Sequence, residues 1–437
     1  MGPGEMGPTA EVTRINGLAP PEVPLSDIDL STWAFWGLDD DVRDGAFATL
    51  RREAPITFHE AFVVNPNHGA DTEVAGHWVL TRYDDVFYAS RHPDLFSSAQ
   101  GITIGDQSTQ LNEYFGSMIA MDDPRHSRLR NIVRSAFTPR VLAIIEDSVR
   151  RRARRLVEEM VADHPGGHAD FVSALAGPLP LQIICDMMGI PEQDHGRIFH
   201  WTNVILGFGD PEIATGYDDF VSVAMAIGAY AKQLAEDRKA RPGDDLTTSL
   251  VQAELDGERL TSAEVASFFI LLVVAGNETT RNAISHGLLA LSRYPEQREL
   301  WWSDYHAVAP TAVEEIVRWS SPVAYMRRTA TRDVKMRGVE IAAGDKVTLW
   351  YASANRDETK FADPWRFDVL RHPNPHVGFG GGGVHFCLGA NLARREIMVV
   401  FEELHRKIPD VRATREPDRL HSAFIRGIKR LPVSWRT

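Results

Sequence analysis

Cysteine is nearly missing from this chain: there are two in 437 residues, Cys185 and Cys387. That excludes a disulfide-stapled fold and points to a reducing compartment. Basic excess is missing as well. The 47 lysines and arginines face 60 acidic residues, a formal charge of −13, which argues against a dedicated nucleic-acid binder. Long apolar runs are also lacking. The most apolar stretch, Ala266 to Ala275, is interrupted by Gly276-Asn277-Glu278 and falls well short of the ~20 residues that span a bilayer. Met1 to Ala19 have neither a basic start nor an apolar core. No secretory signal or membrane span is therefore expected, and the cytoplasm is the expected location. Gly and Pro at positions 2, 3, 4, 7 and 8 make residues 1–20 read as a disordered tail. No repeat and no low-complexity linker divides the remainder.

One of the two cysteines has an unusual setting. Cys387 follows Gly378-Phe379-Gly380-Gly381-Gly382-Gly383-Val384-His385-Phe386 and precedes an apolar helical stretch, Leu388 to Leu404. The unpaired N–H groups and positive dipole of a helix N-terminus favour thiolate over thiol. Glycines let the backbone pass close to something flat and bulky. A thiolate so placed suits an axial ligand to haem iron. The alternatives fit less well. A buried structural cysteine describes Cys185, inside the apolar run Leu181–Met188. Zinc would need a partner cysteine or a recognised spacing with His372 and His376, and neither exists. A phosphate loop would follow its glycines with Gly-Lys-Ser/Thr.

Helical character dominates from Pro124 onward, over Arg125–Phe137, Arg140–Ala162 and Leu179–Met188. Thr261-Ser262-Ala263-Glu264 is a capping box, and no proline follows until Pro295. The spacing predicts a helix of roughly 45 Å. In its middle lies Ala275-Gly276-Asn277-Glu278-Thr279-Thr280, a run poor in helix propensity and suggestive of a functional bulge. A carboxylate beside a hydroxyl suits proton delivery; a polar face meeting solvent is the plainer alternative. Strands are expected at His77–Thr81 and Lys346–Tyr351, with a hairpin about Gly338.

The run ending in Cys387 resembles the haem-binding loop of the cytochrome P450 superfamily, Phe-Gly-x-Gly-x-His-x-Cys-x-Gly, with one extra glycine between Phe379 and Cys387. The resemblance implies a mainly α fold with small peripheral β-sheets, one domain over 21–437, and haem b between the long central helix and the Cys-loop helix. It overrides the two or three domains that length alone favours. Residue by residue, it implies Gly276 as the opening for dioxygen and Glu278 and Thr279 as the proton relay. Cys387 becomes the axial ligand, with Phe379, Ala275 and Gly389 against the porphyrin. The haem propionates need cations, and His126, Arg130, Arg328 and His385 match the positions that supply them. Glu315-Ile316-Val317-Arg318, which alone would read as a surface pair, becomes a buried structural triad with Arg366 as its third member. The implied distal pocket is apolar: Ile102, Ile104, Leu206, Phe208, Leu271, Ala275, Val323 and Phe424. Each could equally be ordinary core packing.

Three longer segments, 177–191, 200–211 and 268–282, narrow the resemblance to bacterial members that oxidise methyl-branched lipids at the omega carbon. They imply hydroxylation of branched fatty acids or isoprenoids with O2, with the cholesterol side chain as a further candidate. Electrons would come from NAD(P)H through a ferredoxin reductase and a ferredoxin. The arginines at 125, 128, 134, 140, 150–152, 154, 155, 394 and 395 are expected to offer that ferredoxin a basic docking patch. Two rival readings are the same fold acting on a steroid or terpene, and a haem-binding sensor without turnover. The intact Glu278–Thr279 pair disfavours the sensor.

Overall fold

The computed structural model describes residues 19–63, 73–106, 108–207, 210–213 and 217–436; most of the expected N-terminal tail lies outside them. Everything else is arranged around one helix, Ser262–Arg293, 32 residues long, or about 48 Å at 1.5 Å per residue. Its start is set by the expected capping box. The Thr261 hydroxyl accepts from the Glu264 N–H (3.2 Å), and the Glu264 carboxylate accepts from the Thr261 N–H (2.7 Å). Its end is set by Pro295, which forces Tyr294 out of helical dihedrals (φ −118°, ψ 70°). The helix is long and apolar enough to cross a membrane, yet most of its apolar stretch is buried inside the fold. It packs against helices Pro178–Met188, Tyr217–Ala240, Tyr305–Ser320 and Ala390–Lys407, so it is a core helix. The expected bulge at 275–280 does not form: the helix is continuous there. A π-helical turn occurs instead at Val172–Ala176, where the sequence carries no comparable signal.

These helices are numbered from here in chain order, starting with α1 (Thr109–Gly116), α2 (Arg125–Ala136), α3 (Pro139–Asp163), α4 (Pro178–Met188) and α5 (His195–Leu206). They continue with α6 (Tyr217–Ala240), α7 (Ser262–Arg293), α8 (Tyr305–Ser320) and α9 (Ala390–Lys407). On α9, Ile397, Val400, Phe401 and Leu404 recur at helical spacing and are fully buried. Together with the inner faces of α3, α4, α7 and α8 they form the largest apolar cluster.

A five-stranded sheet lies to one side. Its strands are β1 (Ile56–Val63), β2 (Glu73–Leu80), β3 (Phe96–Ser97), β4 (Met326–Ala330) and β5 (Lys346–Leu349), in the order β1-β2-β5-β4-β3. β5 runs parallel to β2 and antiparallel to β4. Between β4 and β5 the expected hairpin forms from Val334–Met336 and Val339–Ile341. Its turn, Arg337-Gly338, has both φ values positive (48° and 86°), as a tight two-residue hairpin requires. The fold is mainly α with small peripheral sheets, as expected.

The triad expected at Glu315 is present with a different third member. Arg318 grips Glu315 bidentately (2.7 and 2.7 Å) with both side chains fully buried. The next cation is Arg371, whose Nε lies 3.1 Å from the same carboxylate. Arg366 is exposed and contributes only its carbonyl, which accepts from Arg318 and Arg371. The Asp368 N–H and the Asn374 amide complete the carboxylate's shell. Arg366 was the wrong arginine because the chain passes the network backbone-first there and returns five residues later with a side chain. Removing one partner of a buried pair typically costs 3–5 kcal/mol, whereas a surface change stays within about 0.5 kcal/mol. Arg371→Ala is therefore expected to lower urea stability by about 3 kcal/mol or to abolish soluble protein. Arg366→Ala should leave the unfolding midpoint near the parent's; equal effects would refute the assignment.

Candidate active site

The cysteine loop is held from behind by helix Tyr83–Arg91. A Cβ on Gly381 would stand 2.5 Å from the Ser90 hydroxyl, and one on Gly383 would stand 2.6 Å from the Ser90 carbonyl. Gly380, Gly382 and Gly383 all have positive φ. Gly381 and Gly383 therefore permit close packing on Ser90, and the positive φ values of Gly380, Gly382 and Gly383 shape the turn. Gly389 differs: it is exposed, and nothing lies within 4 Å of its Cβ position. The extra glycine leaves Phe379 in place. Its carbonyl accepts from the Cys387 N–H (3.0 Å), and its ring carries the Arg394 guanidinium 4.4 Å above it.

Cys387 precedes the N-cap Gly389, and α9 begins only at Ala390. The Cys387 side chain is exposed. Desolvation pushes its thiol up, against the Gly389 N–H and the nearby Arg130 and Arg394, which favour the thiolate. A bound metal cation would reverse that balance by replacing the proton.

The four expected propionate partners converge. His126 is 2 % and Arg328 5 % exposed, and the rings of His126 and His385 lie 4.4 Å apart. His385 Nε2 lies 3.2 Å from the Ser98 hydroxyl, a partner no motif announced. Nδ1 of His385 is buried without a hydrogen-bond partner, and Nδ1 of His126 has only the Asp123 carboxylate, at 3.5 Å. Burial, then repulsion from Arg328, His126 and Arg130, drives the His385 imidazole down to about 2. Arg130 donates to the Phe386 carbonyl (2.7 Å) and Arg328 to the Arg327 carbonyl (2.7 Å). Among the described residues Arg328 has no carboxylate within ion-pair distance. Buried guanidinium and imidazole groups facing one another are stable only around an anion. The two carboxylates of a haem fit this cluster, and the open cysteine fits its iron.

The middle of α7 is where this otherwise buried helix becomes accessible. Ala275 is exposed, and Gly276 and Thr279 are half-exposed. The Thr279 hydroxyl donates back to the Ala275 carbonyl (2.7 Å). Glu278 is 1 % exposed. One of its oxygens accepts from Arg281 and from the Asn282 amide (2.9 Å), while the other has no partner. Arg281 in turn reaches Asn203 on α5 (2.9 Å), and Asn282 accepts from the Ile428 N–H. Arg281 and Asn282 went unnoticed in the sequence, although their i+3 and i+4 spacing from Glu278 was the available signal. A Cβ on Gly276 would meet Ile184 of α4 at 2.8 Å. Its missing side chain permits close packing against α4.

The apolar residues expected around the pocket divide. Ile102, Val323 and Phe424 are part-buried, and Leu271 lies at the margin of the core. Val323 bridges to Ile425, and the Phe424 ring meets Tyr325 edge-on at 5.5 Å. Ile104 is turned into the second core cluster with Trp350 and is 1 % exposed. Phe208 and the Leu206 side chain lie outside the described residues. The arginine belt is not a free basic patch. Arg125, Arg128, Arg140, Arg150, Arg151, Arg152, Arg154 and Arg155 each meet a carboxylate. Arg394 and Arg395 pair with Glu314 and Glu146. Composition alone could not show this pairing.

The chain matches the family model described as Cytochrome P450 over residues 308–407. It is 70 % identical over 427 residues to the "Methyl-branched lipid omega-hydroxylase" of Mycobacterium tuberculosis, covering 98 % of this chain and 99 % of that one. It is 42 % identical to the "Steroid C26-monooxygenase" of Mycobacterium bovis, covering 89 % and 88 %. Among solved structures, a Mycobacterium marinum cytochrome P450 in complex with pseudoionone superposes with a TM-score of 0.87 at 42 % identity, covering 94 % of this chain and 99 % of that one.

Truncating one member of a buried charged contact typically costs 2–5 kcal/mol of binding. Arg328→Leu is expected to fold with normal far-UV circular dichroism but to release haem to apomyoglobin at least about tenfold faster than the parent. Unchanged release would remove the cationic cluster as the anchor.

Proposed function

The chain belongs to the cytochrome P450 family, and on that premise we propose that it hydroxylates the terminal carbon of methyl-branched lipids, fatty acids or isoprenoids. The observation that carries this reading is the 70 % identity, sustained over 98 % of the chain, to a methyl-branched lipid omega-hydroxylase. The apolar lining expected at Ile102, Leu271, Val323 and Phe424 supports it, since a greasy substrate with few polar handles asks for such a surface.

Haem held by Cys387 supplies the oxygen-activating chemistry. The chain's own residues do the rest. His126, Arg130, Arg328 and His385 hold the propionates. Thr279 exchanges its bond to the Ala275 carbonyl for one to a water molecule, and the free oxygen of Glu278 holds the next proton in the path. Because Glu278 is pinned through one oxygen by Arg281 and Asn282, the other keeps its direction. Primary C–H bonds are stronger than internal ones, so the terminal position must be imposed by orientation. The electron donor in this reading is a ferredoxin served by an NAD(P)H-dependent reductase, and the working compartment is the cytoplasm. With the arginine belt internally paired, exposed Arg134, which has no carboxylate partner among the described residues, is the belt cation left for docking.

A steroid side chain is the second reading, favoured by the 42 % identity to a steroid C26-monooxygenase. Both readings place oxidation at a chain end. Aerobic turnover with a generic ferredoxin system and a branched fatty acid is expected to give the terminal alcohol. The spin-state shift should be larger with the branched acid than with its straight-chain isomer or with a steroid. A shift confined to steroids would favour the second reading, and internal hydroxylation would remove both. Thr279→Ala is expected to keep the substrate-induced spin shift and lose product per NADPH consumed, with peroxide as the balance. Unchanged coupling would end the relay assignment.

A further inference from the structure

The segment 101–106 links β3 to α1 and arches from the propionate cluster toward the central helix. At its near end Ser98 touches His385. At its far end α1 packs on α7, with the Ser267 hydroxyl donating to the Glu113 carbonyl (2.6 Å). Part-buried Ile102 lies between, 3.9 Å from the Cβ position of Gly116. The segment's sequence, Gly-Ile-Thr-Ile-Gly-Asp, has no intrinsic stiffness. Two of its six residues are glycine, the costliest residue to order.

Two cations on the sheet supply the stiffness. The Arg327 N–H donates to the Ile102 carbonyl (2.8 Å). Its guanidinium reaches the carbonyls of Thr103 (3.4 Å) and Gly105 (3.3 Å) and the Asp106 carboxylate (3.0 Å). Lys346 reaches the Ile104 carbonyl (3.5 Å), the other Asp106 oxygen and the Ala75 carbonyl (3.2 Å). The Tyr325 hydroxyl accepts from the Ile104 N–H (3.1 Å). Four consecutive carbonyls, 102 to 105, and the next side chain are thus all held by Arg327 and Lys346. The side chains of both cations are 4 % and 8 % exposed, and Asp106 is the only carboxylate within ion-pair distance of either among the described residues. His77, beside them, is held neutral, chiefly by burial and then by His59, Lys346 and Arg327. Among the described residues Asp106, its side chain 54 % exposed, is the carboxylate that meets these two buried cations.

We propose that Asp106, Arg327 and Lys346 form a clamp that fixes the arch carrying Ile102, and so determine which carbon of the substrate reaches the oxygen. They are positioning residues. The clamp sits behind the sheet and touches substrate only through the backbone it holds. The regiochemical half of the proposal rests on the terminal-hydroxylase reading above; the mechanical half does not.

The haem-loaded enzyme tests both halves with Asp106→Asn, and with Lys346→Gln as the second variant should the first not accumulate. Amide hydrogen exchange of residues 101–106 is expected to quicken by about tenfold while haem content is unchanged. The ratio of terminal to subterminal alcohol from a branched fatty acid is expected to fall by roughly tenfold, the scale of a one-methylene discrimination. Asp106→Glu should restore both. Unchanged exchange overturns the clamp, and quickened exchange with an unchanged product ratio overturns its role in selectivity. A parent enzyme that makes no terminal alcohol would sink the functional reading and leave the exchange result to decide the clamp.

Discussion

A guanidinium removed from water must be given an anion, and this chain meets that demand in two different ways. Around Glu315 the anion is internal: one fully buried carboxylate serves Arg318 and Arg371, and the spare donors go to the carbonyls of Asn355, Pro364 and Arg366. That network is complete with protein alone, which is what a structural role needs. Around Arg328 the protein supplies His126, Arg130 and His385, with Asp123 meeting only His126, and leaves Nδ1 of His385 unsatisfied. The second cluster is thermodynamically unfinished. Haem is then part of the folding balance as well as of the chemistry, because ligand that binds only the native state adds to its stability.

The same competition between desolvation and charge decides the state of Cys387. A helix N-terminus pulls a thiol toward ionisation, but its field decays within about one turn. The sulfur sits before the first helical residue, where the Gly389 N–H, Arg130 and Arg394 favour the thiolate against desolvation. Glu278 is buried as well, and Arg281 and Asn282 hold one of its oxygens while the other has no hydrogen-bond partner.

Much of this was legible in the sequence, and the misses share a cause. The capping box at Thr261 and the hairpin at Gly338 are local patterns whose physics acts within a few residues, and both appear as read. The failures depend on what a residue meets across space. Arg366 and Arg371 are equally basic, and only the path of the chain decides which one turns inward. Mid-helix Gly, Asn and Thr suggested a bulge, but tertiary burial along a 32-residue helix outweighs a few tenths of a kcal/mol per residue of poor propensity. The arginine belt looked like a docking surface because charge counts cannot show that nearly every member has its own acid.

Selectivity for a chain end poses a further constraint that these contacts help to meet. A wholly apolar pocket discriminates weakly, since one methylene is worth only about 1–3 kcal/mol. It can direct oxidation to the least reactive carbon only if its walls do not yield. In the proposed reading α7 is one such wall, continuous and packed along most of its length, and the arch at 101–106, glycine-containing and without secondary structure of its own, is the other; such a segment would normally adapt to whatever it meets. Here its carbonyls, which would otherwise hydrogen-bond to water, are taken up one after another by two cations anchored in a sheet. Polar atoms behind the pocket thus give rigidity to an apolar surface in front of it, and no polar atom needs to enter the pocket itself.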